Sequence, residues 1–62
     1  MNDIRKVEII SKKPLEKGFE YFIRMPNRRM ITLISERDLP VGNSAYVVCN
    51  YFAGEFSNVS FA

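Results

Sequence analysis

The residues best suited to chemistry lie around a predicted tight turn in the segment 25–30 (MPNRRM). Arginine and aromatic side chains are grouped there and in the strand before it, at Tyr21, Phe22, Arg24, Arg28 and Arg29. Aromatic rings stack on unpaired bases, at roughly 1–3 kcal/mol per base, while guanidinium groups hold phosphates. These residue types at this spacing suit single-stranded nucleic acid. The alternative is a solubilising hairpin tip in front of an aromatic core strand.

The charged residues are distributed unevenly along the chain. The formal net charge is +2, from nine Lys and Arg against seven Asp and Glu. Residues 1–37 carry all nine basic groups and five acidic ones, a net +4, whereas residues 38–62 carry only Asp38 and Glu55, a net −2. A basic half can attract phosphate. It can also be a solvated surface that keeps a small protein in solution.

The composition argues against an enzyme and against a cofactor or a metal. The chain has no histidine, so the Ser-His and Cys-His nucleophile pairs are missing. Its seven carboxylates are scattered among basic neighbours rather than paired for acid/base catalysis. The single cysteine, Cys49, excludes an internal disulfide and argues against a zinc site. We expect no catalysis, no cofactor and no metal, with Cys49 buried as a small apolar side chain.

Turn-forming residues divide the chain at regular intervals, at Pro14, Gly18, Pro26, Asn27, Pro40, Gly42 and Gly54. The segments between them are rich in Ile, Val, Phe, Tyr and Thr and predict five strands, at 4–12, 19–25, 29–35, 44–52 and 56–61. No segment keeps a helical apolar period for two turns. The pattern predicts one all-β domain over residues 1–62, a five-stranded small antiparallel barrel that is OB-like or SH3-like.

Alternation of apolar and polar residues assigns one inward face to each strand. The predicted inward residues are, strand by strand, Val7 and Ile9; Phe19, Tyr21, Ile23 and Met25; Ile31 and Leu33; Ala45, Val47, Cys49 and Tyr51; Val59 and Phe61. Phe56 is predicted to lie on the opposite face of the last strand. Several strands are apolar on both faces, which is more apolar surface than one small barrel can hide.

The small size of the chain predicts association. A chain of 62 residues buries only about 60% of the surface that its unfolded form exposes, so small domains usually need a staple or a partner. We therefore expect a homodimer or a higher homo-oligomer. One alternative is an SH3-like module that binds a host protein or another partner protein through Phe22, Tyr46 and Phe52. A further alternative is a purely structural oligomerisation module.

A series of short motifs gives a more specific interpretation. The segment 7–9 (VEI) is followed by Gly18-x-x-Tyr21, by Pro40-x-Gly42 before a strand, and by Gly54-x-Phe56 before an apolar closing strand. In this order the chain resembles the single-stranded-DNA-binding proteins of filamentous bacteriophages, which are small OB-fold dimers that coat single-stranded DNA cooperatively. The resemblance implies a phage or plasmid accessory protein of DNA replication. It also implies that Tyr21 stacks on bases and that Phe56 stacks from the partner subunit.

The chain departs from that family in its basic residues. The loop that the family uses as a basic DNA-binding wing is reduced here to a tight turn at 26–28, and the last strand carries no basic residue. Arg24, Arg28 and Arg29 match no fixed family position and are assigned from charge and placement alone. The complete predicted binding set is Lys17, Tyr21, Phe22, Arg24, Arg28, Arg29 and Phe56. The predicted ligand is single-stranded DNA or RNA.

The chain also carries information on location. The N-terminal segment 1–8 is too polar for a signal peptide. The longest aliphatic segment, 45–49, is far shorter than the roughly 18 residues of a membrane span. A lone thiol fits a reducing compartment. We expect a cytoplasmic protein without membrane contact.

Overall fold

The computed structural model describes residues 2–62, and this part of the chain forms five antiparallel β-strands without a helix. The strands are β1 (Asn2–Pro14), β2 (Phe19–Arg24), β3 (Met30–Ser35), β4 (Ser44–Phe52) and β5 (Glu55–Phe61). The all-β prediction is confirmed. β1 is longer than predicted because its two ends pair with different strands, Asn2 with Asn50 and Pro14 with Phe19.

The strand order is β3-β2-β1-β4-β5, which places β4 beside β1 rather than beside β3. Three hairpin-connected strands with a fourth that returns beside the first make a Greek key. β3 and β5, at the two edges of the sheet, approach each other without a ladder of hydrogen bonds, so the barrel is nearly closed. The sequence predicts a barrel that is either OB-like or SH3-like. A five-stranded, partly open Greek-key barrel matches the OB-like alternative.

A bulge in β1 lets the sheet curl. Residues 2–8 of β1 pair with β4, and residues 8–14 pair with β2. The register with β2 shifts between Ile9 and Ser11, so the inward face passes from odd to even residues at this point. Bulges bend a strand and increase its twist. β1 can therefore belong to both halves of the barrel.

The core is built from the inward residues of three strands. The buried side chains are Val7, Ile9, Tyr21, Ile23, Met25, Val47 and Cys49. Alternation therefore predicted the inward face of β2 correctly. It also predicted the inward position of Cys49, which is 1% exposed. Burial raises the pKa of the Cys49 thiol, and the nearby Arg5 opposes this shift. The thiol therefore stays protonated as a small apolar side chain.

The prediction for Phe56 is wrong. Phe56 is half-buried and packs against the core on the same side as Val59 and Phe61. The register of β4 with β5 shifts between Val48 and Asn50, so β5 carries one extra residue opposite this point. Asn58 takes up the extra length in a left-handed conformation, with φ 51°. A bulge changes the period of two within the strand, so a prediction that assumes constant alternation cannot reveal it.

The connection between β3 and β4, residues 36–43, closes one end of the barrel and is here called the strap. The hydroxyl of Tyr21 donates to the carbonyl oxygen of Arg37 and accepts from the N–H of Leu39 at 2.7 Å. Lys12 Nζ donates to the carbonyl oxygen of Leu39 at 3.2 Å and pairs with Asp38. The strap is thus held by side chains of β1 and β2.

Candidate nucleic-acid interface

The β2–β3 and β4–β5 hairpin tips meet at the end of the barrel opposite the strap, which is here called the hairpin end. The β2–β3 turn is closed by a hydrogen bond from the Met25 N–H to the Arg29 carbonyl oxygen at 2.8 Å. Asn27 Oδ1 accepts from the Arg29 N–H at 3.0 Å, and Asn27 Nδ2 donates to the Gly54 carbonyl oxygen at 3.3 Å. One side chain therefore shapes the first turn and links it to the second.

Three stackable groups lie together at the hairpin end. The guanidinium carbon Cζ of Arg5 is 5.6 Å from the ring centroid of Tyr51 and 6.0 Å from that of Phe56. The two ring centroids are 4.7 Å apart with an interplanar angle of 48°. These distances fall within the range of cation–π contact. Because the Tyr51 residue is 47% exposed, part of this stacked surface faces solvent.

Arg5 is poorly satisfied as a hydrogen-bond donor. A guanidinium group carries five N–H donors. The one ion pair that Arg5 makes within residues 2–62 joins Nη2 to Asp3 Oδ2 at 3.4 Å, and Nε is buried without a hydrogen-bond partner there. Charge-assisted bonds are normally 2.7–2.9 Å long. The guanidinium is therefore held by ring stacking rather than by strong hydrogen bonds.

Two shallow cavities flank Phe56. One, of about 270 Å³, is lined by Arg5, Pro26, Asn27, Tyr51 and Phe56. The other, of about 240 Å³, lies in the seam between β3 and β5, with Met25, Met30 and Ile31 on one side and Phe56 on the other. Both combine apolar walls with an arginine, Arg5 in the first and Arg29 in the second, where Glu55 also lines the rim. Flat, partly apolar groups such as nucleobases fit surfaces of this kind.

Folding redistributes the charge that the sequence places in its first 37 residues. When the molecule is divided across β1 at Ile9, the hairpin half carries five basic and three acidic residues, Arg5, Lys6, Arg24, Arg28 and Arg29 against Asp3, Glu8 and Glu55. The strap half carries four of each, Lys12, Lys13, Lys17 and Arg37 against Glu16, Glu20, Glu36 and Asp38. The formal net charge of +2 therefore lies at the hairpin half.

Three of the seven predicted binding residues, Arg28, Arg29 and Phe56, lie at the hairpin end. Arg28 is exposed and left-handed, with φ 69°, and makes no ion pair with the described residues. Arg29 Nη1 lies 3.7 Å from Glu55 Oε1, with both side chains 71% exposed. So long and exposed a pair is weak, because water screens it. Both arginines are therefore accessible to an anion.

Phe22 and Arg24 lie outside this group, on the outer face of β2. Phe22 is 42% exposed and is paired across the sheet with Ser11 and Thr32. Arg24 Nη1 donates to Glu8 Oε1 at 3.0 Å, directly across the β1–β2 ladder. The two residues form part of a sheet surface that is continuous with the β2–β3 hairpin.

The structure corrects the assignment of Tyr21 and places Lys17 away from the hairpin end. Tyr21 is 0% exposed and both its hydrogen bonds go to the strap, so its ring offers no surface on which a base can stack. Its inward position is the one that alternation itself assigns. Lys17 is exposed in the β1–β2 turn, roughly 17 Å from the other turn of β2 at about 3.4 Å per residue. The structure does not bring it to the hairpin end.

The sequence interpretation missed three residues of the interface, namely Arg5, Asn27 and Tyr51. The sequence does carry a signal for Arg5. Alternation along β1 places Arg5 on the same face as the buried residues Val7 and Ile9. Tyr51 was assigned to the inward face but not to the site. The link between Asn27 and the β4–β5 turn has no sequence signal, since it depends on how the barrel closes.

Comparison of the chain with models of known protein families, with curated proteins and with solved structures gives no match. The resemblance to the phage proteins therefore stays a prediction. Residues 2–62 contain no helix that is long and apolar enough to cross a membrane.

Proposed function

We propose that this protein binds single-stranded nucleic acid, DNA or RNA, without strong sequence preference, at the hairpin end of its barrel. The observation that carries the proposal is the stack of Arg5 on Tyr51 and Phe56. It lies beside two accessible arginines in the more positive half of the molecule. In this proposal bases stack on the exposed ring of Tyr51, and the backbone phosphates contact Arg28 and Arg29.

The physical basis predicts weak sequence preference. Every base has a π-face, so stacking discriminates poorly between bases. Phosphate contacts fix position but carry no sequence information. An accessory role on single-stranded DNA of a phage or plasmid, in replication, belongs to the same proposal and rests on the resemblance alone.

We propose in addition that the protein acts as a homodimer or higher oligomer. The outer face of the sheet exposes large apolar side chains, including Ile4 (67%), Tyr46 (57%) and Ile34 (67%). Ile4 and Tyr46 are close neighbours, because Ile4 pairs with Val48 and Lys6 with Tyr46. Exposed apolar patches on small proteins commonly mark protein contacts. Sedimentation should show a dimer that Ile4→Lys converts to a monomer, and a concentration-independent monomer in the wild type would contradict this.

The same outer face supports a second candidate function, in which the barrel binds a partner protein and no nucleic acid. Phe22 and Tyr46 would then be anchors, together with Phe52, which is 84% exposed. Salt separates the two candidates. Binding to a single strand weakens with a log–log slope of about −0.7 per phosphate contact, whereas apolar contact depends little on salt.

The direct test is a titration with poly(dT) at two salt concentrations. Tyrosine emission is the probe, since the chain has three tyrosines and no tryptophan. We expect quenching at low salt, because a base stacks on Tyr51, and much weaker binding at high salt. If micromolar protein gives neither quenching nor a change in the anisotropy of labelled dT at low salt, nucleic acid is not the ligand.

A further inference from the structure

Arg5 combines tight placement with incomplete pairing. Its guanidinium group lies against the rings of Tyr51 and Phe56, while its ion pair with Asp3 is 3.4 Å long. Its side chain is 41% exposed and that of Asp3 is 34% exposed. Of the carboxylates in residues 2–62, Asp3 alone lies within 4.0 Å of Arg5. A buried donor without a partner calls for an explanation.

We infer that Asp3 is a built-in competitor that occupies Arg5 in the free protein and gives way to a backbone phosphate of the nucleic acid. The inference rests on the proposed function and names a further binding residue, Arg5, together with the group that limits its affinity. Asp3 lies on Nη2, one of the donors of the fork, and its negative charge repels a phosphate there, so the two anions compete for Arg5. A phosphate can take more than one donor of the planar fork, which Asp3 at its present distance does not.

The geometry favours an exchange over a permanent ion pair. Asp3 and Arg5 are two residues apart on one face of β1, opposite Cys49 and Val47 of β4. Neither of these neighbours offers Asp3 a second hydrogen-bond donor from its side chain of comparable strength. The stacked rings hold the guanidinium when Asp3 leaves, so the displaced state costs little rearrangement of Arg5. Asp3 therefore lowers the affinity for a strand and makes its release easier.

The experiment compares two removals of one carboxylate, measured by the anisotropy of labelled dT at two salt concentrations. Asp3→Asn should tighten binding about two- to fivefold, the range of an exposed ion pair converted to a ratio of binding constants. The salt slope should change little, because the phosphate contacts Arg5 in both proteins once the strand is bound.

Asp38→Asn is the matched control, since it removes the same charge from the strap, at the end of the barrel opposite the hairpin end, where solvent and salt screen it from Arg5. Its effect should stay within about 1.5-fold. Asp3→Ser serves as a second variant if Asp3→Asn melts at a lower temperature than the wild type.

A double-mutant cycle makes the assignment specific to Arg5. Arg5→Lys keeps the charge but removes the planar fork, and in that background Asp3→Asn should give less than half of its effect. Equal gains from Asp3→Asn and Asp38→Asn, or an unchanged gain in the Arg5→Lys background, overturn the inference while the proposed function stands. If the wild type binds no dT at low salt, the proposed function fails first and the inference falls with it.

Discussion

The two ends of the barrel use similar side chains for different purposes. At the strap end, the ring of Tyr21 is fully buried and its hydroxyl makes two hydrogen bonds, while Lys12 pairs with the strap. At the hairpin end, Tyr51 is half exposed and Arg5 keeps a buried N–H without a partner among residues 2–62. Tyrosine and a cation stabilise the fold where their polar atoms are paired. Where these atoms are not paired, the same residue types are available to a ligand.

This comparison predicts that substitutions at the strap end change stability and leave binding by the folded protein intact, whereas substitutions at the hairpin end do the reverse.

Gly18→Ala should destabilise the protein most, by about 3 kcal/mol, since it combines backbone strain with overpacking. Gly18 has φ +85°, and a Cβ there would lie 2.5 Å from the carbonyl oxygen of Ser35. Gly42→Ala is the matched control, because Gly42 has φ +86° but no atom within 4 Å of its Cβ position. Thermal melts followed by circular dichroism should show the larger loss for Gly18, and equal losses would mean that the close contact is unimportant.

Tyr21→Phe should lower the free energy of unfolding by about 2 kcal/mol, because it leaves the Leu39 N–H and the Arg37 carbonyl without their partner. Urea denaturation measures this loss. The affinity of the folded protein for dT should stay unchanged, since the ring is 0% exposed. A loss of affinity at unchanged stability would return Tyr21 to the binding site and contradict the assignment of the strap end.

Tyr51→Ala should weaken binding to dT about tenfold, the equivalent of one stacked base. Tyr51→Phe is its control and should retain most of the affinity, because the ring remains. The same control should lose most of the tyrosine quenching, since Tyr21 and Tyr46 lie elsewhere. Equal affinities for the Ala and Phe variants would exclude stacking on this ring.

Arg28→Gly should give the smallest change, with opposite signs for stability and binding. A left-handed φ of 69° is costly for arginine and free for glycine, so stability should be unchanged or rise by up to about 1 kcal/mol. Affinity for dT should fall about two- to threefold and the salt slope by about 0.7, since one phosphate contact is lost. Ala53→Gly is a control that relieves a similar φ of 52° without removing charge. If Ala53→Gly weakens binding equally, the loss belongs to the backbone and not to the guanidinium.

Much of the fold could be predicted from the sequence, because turn residues and alternation are local signals. The five strands, the buried face of β2 and the buried residues Val47 and Cys49 of β4 follow from them, but Tyr51, which alternation places inward, is 47% exposed. The bulges at Ile10 and near Asn58 could not be predicted, since each depends on pairing with a distant strand. The position of Phe56 was therefore assigned to the wrong face.

The site could be predicted only in part. The arginines of the β2–β3 turn were found because they are adjacent in sequence. The stack of Arg5 on Tyr51 and Phe56 joins β1 to the β4–β5 hairpin at the other end of the chain, and the pairing of β1 with β4 brings them together. The resemblance placed Tyr21 in the site, whereas alternation places it inward, and the side chain is buried. The net charges of the two sequence halves were equally misleading about the surface of the folded protein. The acidic second half folds back onto the basic first half.

In the proposed function the hairpin end, and not the basic surface as a whole, binds the strand. The most direct test compares two double variants that each remove two exposed cations, Arg28→Ala with Arg29→Ala, and Lys13→Ala with Lys17→Ala. Labelled dT anisotropy at low salt should show a loss of about four- to ninefold for the first pair and less than about twofold for the second. Equal losses for the two pairs would contradict the claim and leave only unspecific attraction between a basic protein and a polyanion.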